Sequence, residues 1–176
     1  FSKKTNKLYG GLVKYLKIFC KERNYRYLVD PSVQGFNEFT LDEAQQYANS
    51  LQLQSNGKSI TPHDYQITSL LKAIKYRKVL LLSPTASGKS LMIYLIMRRL
   101  LETGCKRGLL IVPTISLVEQ MYSDFKDYSS ANGWDVLSNA QKIYMGHEKV
   151  VNKPLTISTW QSIHEMPKQF FEQFDF

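Results

Sequence analysis

The segment Ser83-Pro84-Thr85-Ala86-Ser87-Gly88-Lys89-Ser90 sets a glycine, an ammonium group and a hydroxyl in consecutive positions. It directly follows the apolar run Val79-Leu80-Leu81-Leu82 and directly precedes Leu91-Met92-Ile93-Tyr94-Leu95-Ile96-Met97. That order predicts a strand, a tight loop and a helix, the setting in which such a loop cradles phosphate. Backbone N–H groups of the loop and first helical turn would converge on one point, where the helix dipole also favours negative charge. Pro84, Thr85, Ala86, Ser87 and Gly88 would supply the cradle. Lys89 would reach the β- and γ-phosphates of a nucleotide, and the Ser90 hydroxyl would join a Mg²⁺ shell. Lys89 and Ser90 are the candidate catalytic pair.

Two positions depart from the usual phosphate-loop pattern. Ser83 stands where the pattern opens with glycine, and Ala86 fills an inner place that is often glycine. Neither change removes a backbone donor. A control lies in the same chain, because Asn56-Gly57-Lys58-Ser59 repeats the Gly-Lys-Ser tripeptide without an apolar strand before it. Pro62 follows shortly, and the segment reads as an Asn-Gly turn. The setting carries the inference, not the tripeptide.

The elements that must position this loop follow from periodicity and punctuation. Apolar residues at helical spacing predict a helix over 10–24, and Tyr25 to Val29 reads as a short strand stopped by Asp30-Pro31. Thr40-Leu41-Asp42-Glu43 has the pattern of a capping box, which opens a helix over 41–52. A boundary is placed in the polar stretch 54–59, giving a basic accessory segment, 1–55, and a second unit, 56–176. Thr61 as N-cap and Pro62 at the first helical position predict a helix to about Tyr76. Strand 79–83, the loop and helix 89–102 come next, closed by Gly104. Strand 109–112 then ends at Pro113, and Thr114 caps a helix over 115–128. Weaker strands are read at 143–145 and 155–158, with a helix from about 160. Buried strands alternating with amphipathic helices predict an α/β fold built on a parallel sheet.

Bulk properties narrow the classes. The chain has 176 residues, is 43% hydrophobic and carries a net charge of +8. No apolar run is long enough to span a bilayer, and no signal-peptide pattern opens it. Two cysteines, Cys20 and Cys105, are too few for a disulfide framework or a zinc site, which points to a reducing, cytoplasmic setting. His63, His147 and His164 lack metal-ligand spacing. Residues 1–30 hold eight basic side chains against Glu22 and Asp30, interleaved with Tyr9, Tyr15, Tyr25 and Tyr27. Lys14, Lys17 and Lys21 of this segment are candidates for phosphate-backbone contact in nucleic acid. The chain begins at Phe1 and stops at Phe174-Asp175-Phe176, so a fragment is expected.

Further polar groups gather around the loop in sequence. Gln66 sits at the start of the helix that leads into strand 79–83, and its amide suits the edges of adenine. Ile111-Val112-Pro113-Thr114 and Ile157-Ser158-Thr159-Trp160-Gln161-Ser162 put hydroxyls, amides and helix starts at the C-terminal ends of strands. Ligands of open parallel sheets bind at that edge.

In their order these residues resemble the first motor lobe of superfamily 2 DNA helicases. Within that group they are similar to the UvsW-type phage recombination helicases, with the type III restriction subunits next. Leu8-Tyr9-Gly10-Gly11-Leu12-Val13, the Asp30-Pro31 break and Thr159-Trp160-Gln161 add to the likeness. The resemblance implies a RecA-like lobe, incomplete, preceded by a small α+β accessory segment. It implies ATP and Mg²⁺ as cofactors and a second RecA-like lobe. The expected activity is unwinding or annealing of single-strand or branched duplex DNA in recombination and repair. Carried over, Gln66 reads adenine, and Pro113, Thr114, Thr159 and Gln161 touch the DNA backbone. The Asp-Glu pair that such motors carry at the end of a further apolar strand is not found after such a strand here, and is expected a few residues past Phe176. Asp175 follows no buried strand and precedes no glutamate, so it reads as a surface residue, and the chain alone is expected to turn over little. Two other readings stay open: a P-loop kinase, which would need an arginine-rich lid that 129–156 lacks, and a non-catalytic basic nucleic-acid module.

Overall fold

The computed structural model describes residues 12–29, 38–145 and 149–176. Helix α1 spans Val13–Glu22 and helix α2 Leu41–Ser50. Thr40 caps α2 as its sequence predicts. Its backbone N–H donates to Glu43 Oε2 at 2.7 Å, and the Glu43 N–H donates back to Thr40 Oγ1 at 3.2 Å. Residues 25–29 form no strand, so the strand expected there is not among the described ladders.

Strands β1 (Gln54–Ser55) and β2 (Lys58–Ser59) make a two-residue antiparallel hairpin. Asn56 at φ 51° and Gly57 at φ 71° supply the left-handed pair that a tight hairpin turn requires. The second Gly-Lys-Ser tripeptide is therefore the end of a hairpin turn and its outgoing strand. Helix α3 (Asp64–Tyr76) begins two residues later than Thr61 and Pro62 suggest, with His63 as its extended N-cap. The Gln66 side chain accepts from the His63 N–H at 2.9 Å and fixes that start.

Helix α4 (Lys89–Glu102) follows the phosphate loop, then strand β3 (Gly108–Val112) and helix α5 (Ile115–Tyr128). A short helix α6 (Val136–Asn139) leads into β4 (Ala140–Ile143), and β5 (Leu155–Thr159) into α7 (Trp160–Ile163) and α8 (Lys168–Glu172). The sheet is parallel, in the order β3-β5-β4. Its central strand β5 is buried throughout, as a strand covered on both faces must be. Strand β4 lies earlier than the expected 143–145 because polar side chains disguise it. Gln141 accepts from the Asn152 and Lys153 N–H groups, and Lys142 pairs with Glu119 at 2.9 Å.

Residues 79–84 join no ladder among the described residues, and Leu80 and Leu82 are 84% and 89% exposed. This corrects the buried strand expected at 79–83. An apolar run predicts what a strand can bury, not which neighbour completes its ladder. At the β3 edge the partners are instead Asp175 and Phe176: the Leu109 N–H donates to Phe176 O at 2.9 Å, and the Asp175 N–H to Arg107 O at 2.8 Å.

One core joins α2, α3, α4, α5 and the sheet, with Ala44, Leu53, Leu70, Tyr94, Leu95, Phe125 and Leu155 among its buried residues. Each large apolar side chain so buried contributes about 1.5–3 kcal/mol. Phe39, Tyr47 and Leu51 belong to this core although they precede the boundary drawn at 55–56. Arg98 is buried among Tyr94, Glu102 and Asn132, with its guanidinium 5.0 Å from the Trp134 ring centre.

Candidate nucleotide and nucleic-acid sites

Gly88 opens α4 in a left-handed conformation, φ 71° and ψ 42°, and Ala86 shares positive φ at 62°. A Cβ built on Gly88 would lie 2.5 Å from Gln66 Nε2, so any other residue there would meet a strained torsion and push the Gln66 amide aside. The first bond in this turn runs from the Met92 N–H to Gly88 O at 3.1 Å. The N–H groups ahead of it have no intrahelical acceptor and remain for an anion. Within the loop, Ser87 Oγ donates to Pro84 O at 2.9 Å and also meets Ser83 Oγ, while Lys89 Nζ donates to Pro84 O. A serine at the opening position thus closes the loop by a hydroxyl bond that glycine cannot make.

Two side chains brace the loop from behind. Tyr65 Oη and Gln66 Nε2 both donate to Ser87 O, at 3.0 and 3.1 Å. Gln66 is only 4% exposed, and the other end of its amide accepts from His63. Gln66 ties α3 to the 83–90 loop through one bond at each end of its amide, which leaves a second N–H and a second lone pair for the adenine contact expected of it. Tyr65 carried no motif signal, and its role comes from helical adjacency to Gln66. The Ser90 hydroxyl lies 2.8 Å from Tyr128 Oη, at the far end of α5.

Parallel register builds the second site. Val112 pairs with Thr159 and Ile143 with Ser158, so the chain leaves β3, β5 and β4 at one edge. Pro113, Thr114, Thr159 and Gln161 meet there in a groove of about 470 Å³, which Ile115, Tyr144, Met145, Lys149 and Ser162 complete. Of the seven residues expected to touch nucleic acid, the four at strand ends are brought together. Thr114 caps α5 by accepting from the Leu117 N–H at 3.3 Å, and Thr159 Oγ1 lies 2.7 Å from Ser162 Oγ. Tyr144 meets Glu119, and that bond raises the phenol above its usual range. The same carboxylate raises Lys142. Tyr144, Met145 and Lys149 were not legible, because they follow a strand whose polar residues hid its end.

Lys14, Lys17 and Lys21 lie on α1, where Lys14 and Lys21 are exposed and Lys17 half-buried. None of the groove's lining residues comes from α1. His147 and residues 1–11 and 30–37 fall outside the described residues, and with them Leu8 to Gly11 and the Asp30-Pro31 break. No cluster of three or more His, Cys, Asp or Glu able to hold a metal occurs among the described residues. Asp175 Oδ2 accepts from the Lys106 and Arg107 N–H groups at 2.6 and 3.0 Å, which makes it a structural tie. No helix among them is long and apolar enough to cross a membrane.

A parallel sheet with flanking helices, a phosphate loop opening α4 and a groove at the strand ends together define an incomplete RecA-like lobe of the helicase type. Residues 59–175 match the family described as type III restriction enzyme, res subunit, and the chain belongs to that family. It is 34% identical over 168 residues to the ATP-dependent DNA helicase uvsW of Enterobacteria phage T4, a match covering 93% of this chain and 33% of the relative. Two crystal structures of the T4 UvsW helicase superpose on it at TM-scores of 0.83 and 0.84, each 32% identical. They cover 94% and 95% of this chain, against 33% and 59% of theirs. The chain spans about a third of the length of the T4 relative.

Proposed function

We propose that this chain is the nucleotide-binding lobe of an ATP-dependent DNA helicase or translocase acting on branched recombination and repair intermediates. The observation that carries the reading is the convergence of Pro113, Thr114, Thr159 and Gln161 on one groove, in a chain that also holds the 83–90 loop. The residues fit a nucleoside triphosphate. Gly88 keeps the loop entrance free of a side chain, the first turn of α4 offers N–H donors, and Lys89 supplies the compensating charge. The Ser90 hydroxyl is this chain's own donor to Mg²⁺, which when bound would offset charge on the phosphates. Lys89 exchanges its bond to Pro84 O for the phosphates. Gln66 holds the loop in register from α3.

In the groove, Lys149 and the Thr114 end of α5 face a phosphodiester, while Ile115, Tyr144 and Met145 offer apolar surface to sugars and unpaired bases. Lys14, Lys17 and Lys21 add a separate basic face. A second RecA-like lobe and an acidic pair for water activation belong to the same proposal.

The test is nucleotide and DNA binding by the wild-type chain and by Lys89→Ala. Wild type is expected to bind an ATP analogue, Lys89→Ala at least about tenfold more weakly, since it loses a charge-assisted contact. DNA binding should weaken with salt, and charge reversal at Lys14, Lys17 and Lys21 should flatten that slope. Nucleotide affinity unaffected by Lys89→Ala would favour the non-catalytic basic module.

A further inference from the structure

A serine hydroxyl has one hydrogen and two lone pairs, and it rotates to suit its surroundings. To ligate a cation it must present a lone pair to the metal and send its hydrogen elsewhere. Tyr128 Oη, 2.8 Å from Ser90 Oγ, stands where that hydrogen can go. We infer that Tyr128 is a positioning residue for the nucleotide's metal ion, accepting the Ser90 hydrogen so that the oxygen faces the cation. The inference rests on the reading of 83–90 as a nucleotide site.

The phenol is held where this role needs it. Its ring meets Tyr94 edge-on with centroids 5.6 Å apart, and Tyr94 in turn packs on Phe125 at 5.4 Å. Tyr94 and Phe125 are fully buried, so the tyrosine cannot swing away without disturbing the core. A neutral phenol accepts the serine hydrogen and gives its own to solvent, adding no charge beside the metal. Sequence reading passes over Tyr128, because it lies 38 residues from Ser90 and in no motif.

The experiment is a fluorescence titration of the chain with an ATP analogue, once in excess Mg²⁺ and once in EDTA, for wild type, Tyr128→Phe, Ser90→Ala and the double variant. Tyr128→Phe keeps the ring and removes one oxygen, and melting curves confirm that each variant folds. The metal-dependent gain in affinity is expected to fall about threefold to tenfold in Tyr128→Phe, the scale of one hydrogen bond, with affinity in EDTA unchanged. In the Ser90→Ala background the tyrosine change should cost nothing more. Equal losses with and without Mg²⁺ would reduce the bond to a tie between α4 and α5, and an unchanged gain would also overturn the inference. A folded wild-type chain that binds no nucleotide would overturn the reading of the loop itself.

Discussion

Gly88 and Gln66 are closely fitted in the 83–90 loop. Alanine at position 88 meets a left-handed torsion that costs L residues roughly 1–2 kcal/mol. It also meets an amide nitrogen 2.5 Å from its Cβ. Gly88→Ala is therefore expected to displace Gln66 from Ser87 O, leaving Tyr65 alone to brace the loop, and to lower nucleotide affinity at least about tenfold. Isothermal titration checks the affinity, and a fall in Tm checks the strain. Gln66→Ala separates the two effects, since it removes the clash partner and the bond to the His63 N–H while Ser87 O keeps its bond from Tyr65 Oη; the loss of one such hydrogen bond is worth about 0.5–1.5 kcal/mol. The double variant should lose less than the two single losses together. At this scale the sequence was readable where chemistry is local, as in Gly88-Lys89-Ser90. It was silent where a partner arrives from far along the chain, as Tyr128 does for Ser90.

Among elements, the hairpin and the capped helices were legible because their signals lie within four residues. Thr40 and Glu43 find each other across one turn of α2, and Asn56-Gly57 sets its own torsions. Strands were legible only in part. Leu109 to Val112 and Leu155 to Ser158 announce themselves by apolar content, whereas β4 contains Gln141 and Lys142 and was placed too late. Leu80 and Leu82 show the converse, an apolar pair without a ladder. Asp175 adds a pH dependence to the β3 edge. Bonds from the Arg107 and Lys106 N–H groups hold its carboxyl below the ordinary carboxylate range. A depressed folded value means the tie is fully present above the unfolded pKa, about 3.9, and is lost as pH falls through the folded value. Acid unfolding of wild type against Asp175→Asn should show wild type more stable near neutrality, with the difference vanishing at the acid end. A constant difference across that window would mean the carboxylate charge is irrelevant there.

For the molecule as a whole, the core decides where the chain can be cut. Phe39, Tyr47, Leu51 and Leu53 pack against α3 and α4, and Asn132 Nδ2 donates to Leu51 O at 2.7 Å across that seam. A variant beginning at residue 38 should melt cooperatively near the parent temperature. One beginning at 56 exposes the faces of Ile67 and Leu70 that α2 covers, and should lose several kcal/mol at about 1.5–3 per buried side chain. Circular dichroism melts of the two compare these outcomes, and similar Tm values would show α2 to be dispensable. Helix α5 is built into the same core, with Thr114 capping one end beside the groove and Tyr128 closing the other beside Ser90. Its 14 residues make a rod of about 21 Å, with no loop to absorb a push along its axis. On the proposed reading, strand capture at one tip and fuel capture at the other would bear on the same solid part. If that rod couples the two ligands, reciprocity requires each to shift the other's affinity by one common factor, and paired titrations in Tyr128→Phe should bring that factor close to unity.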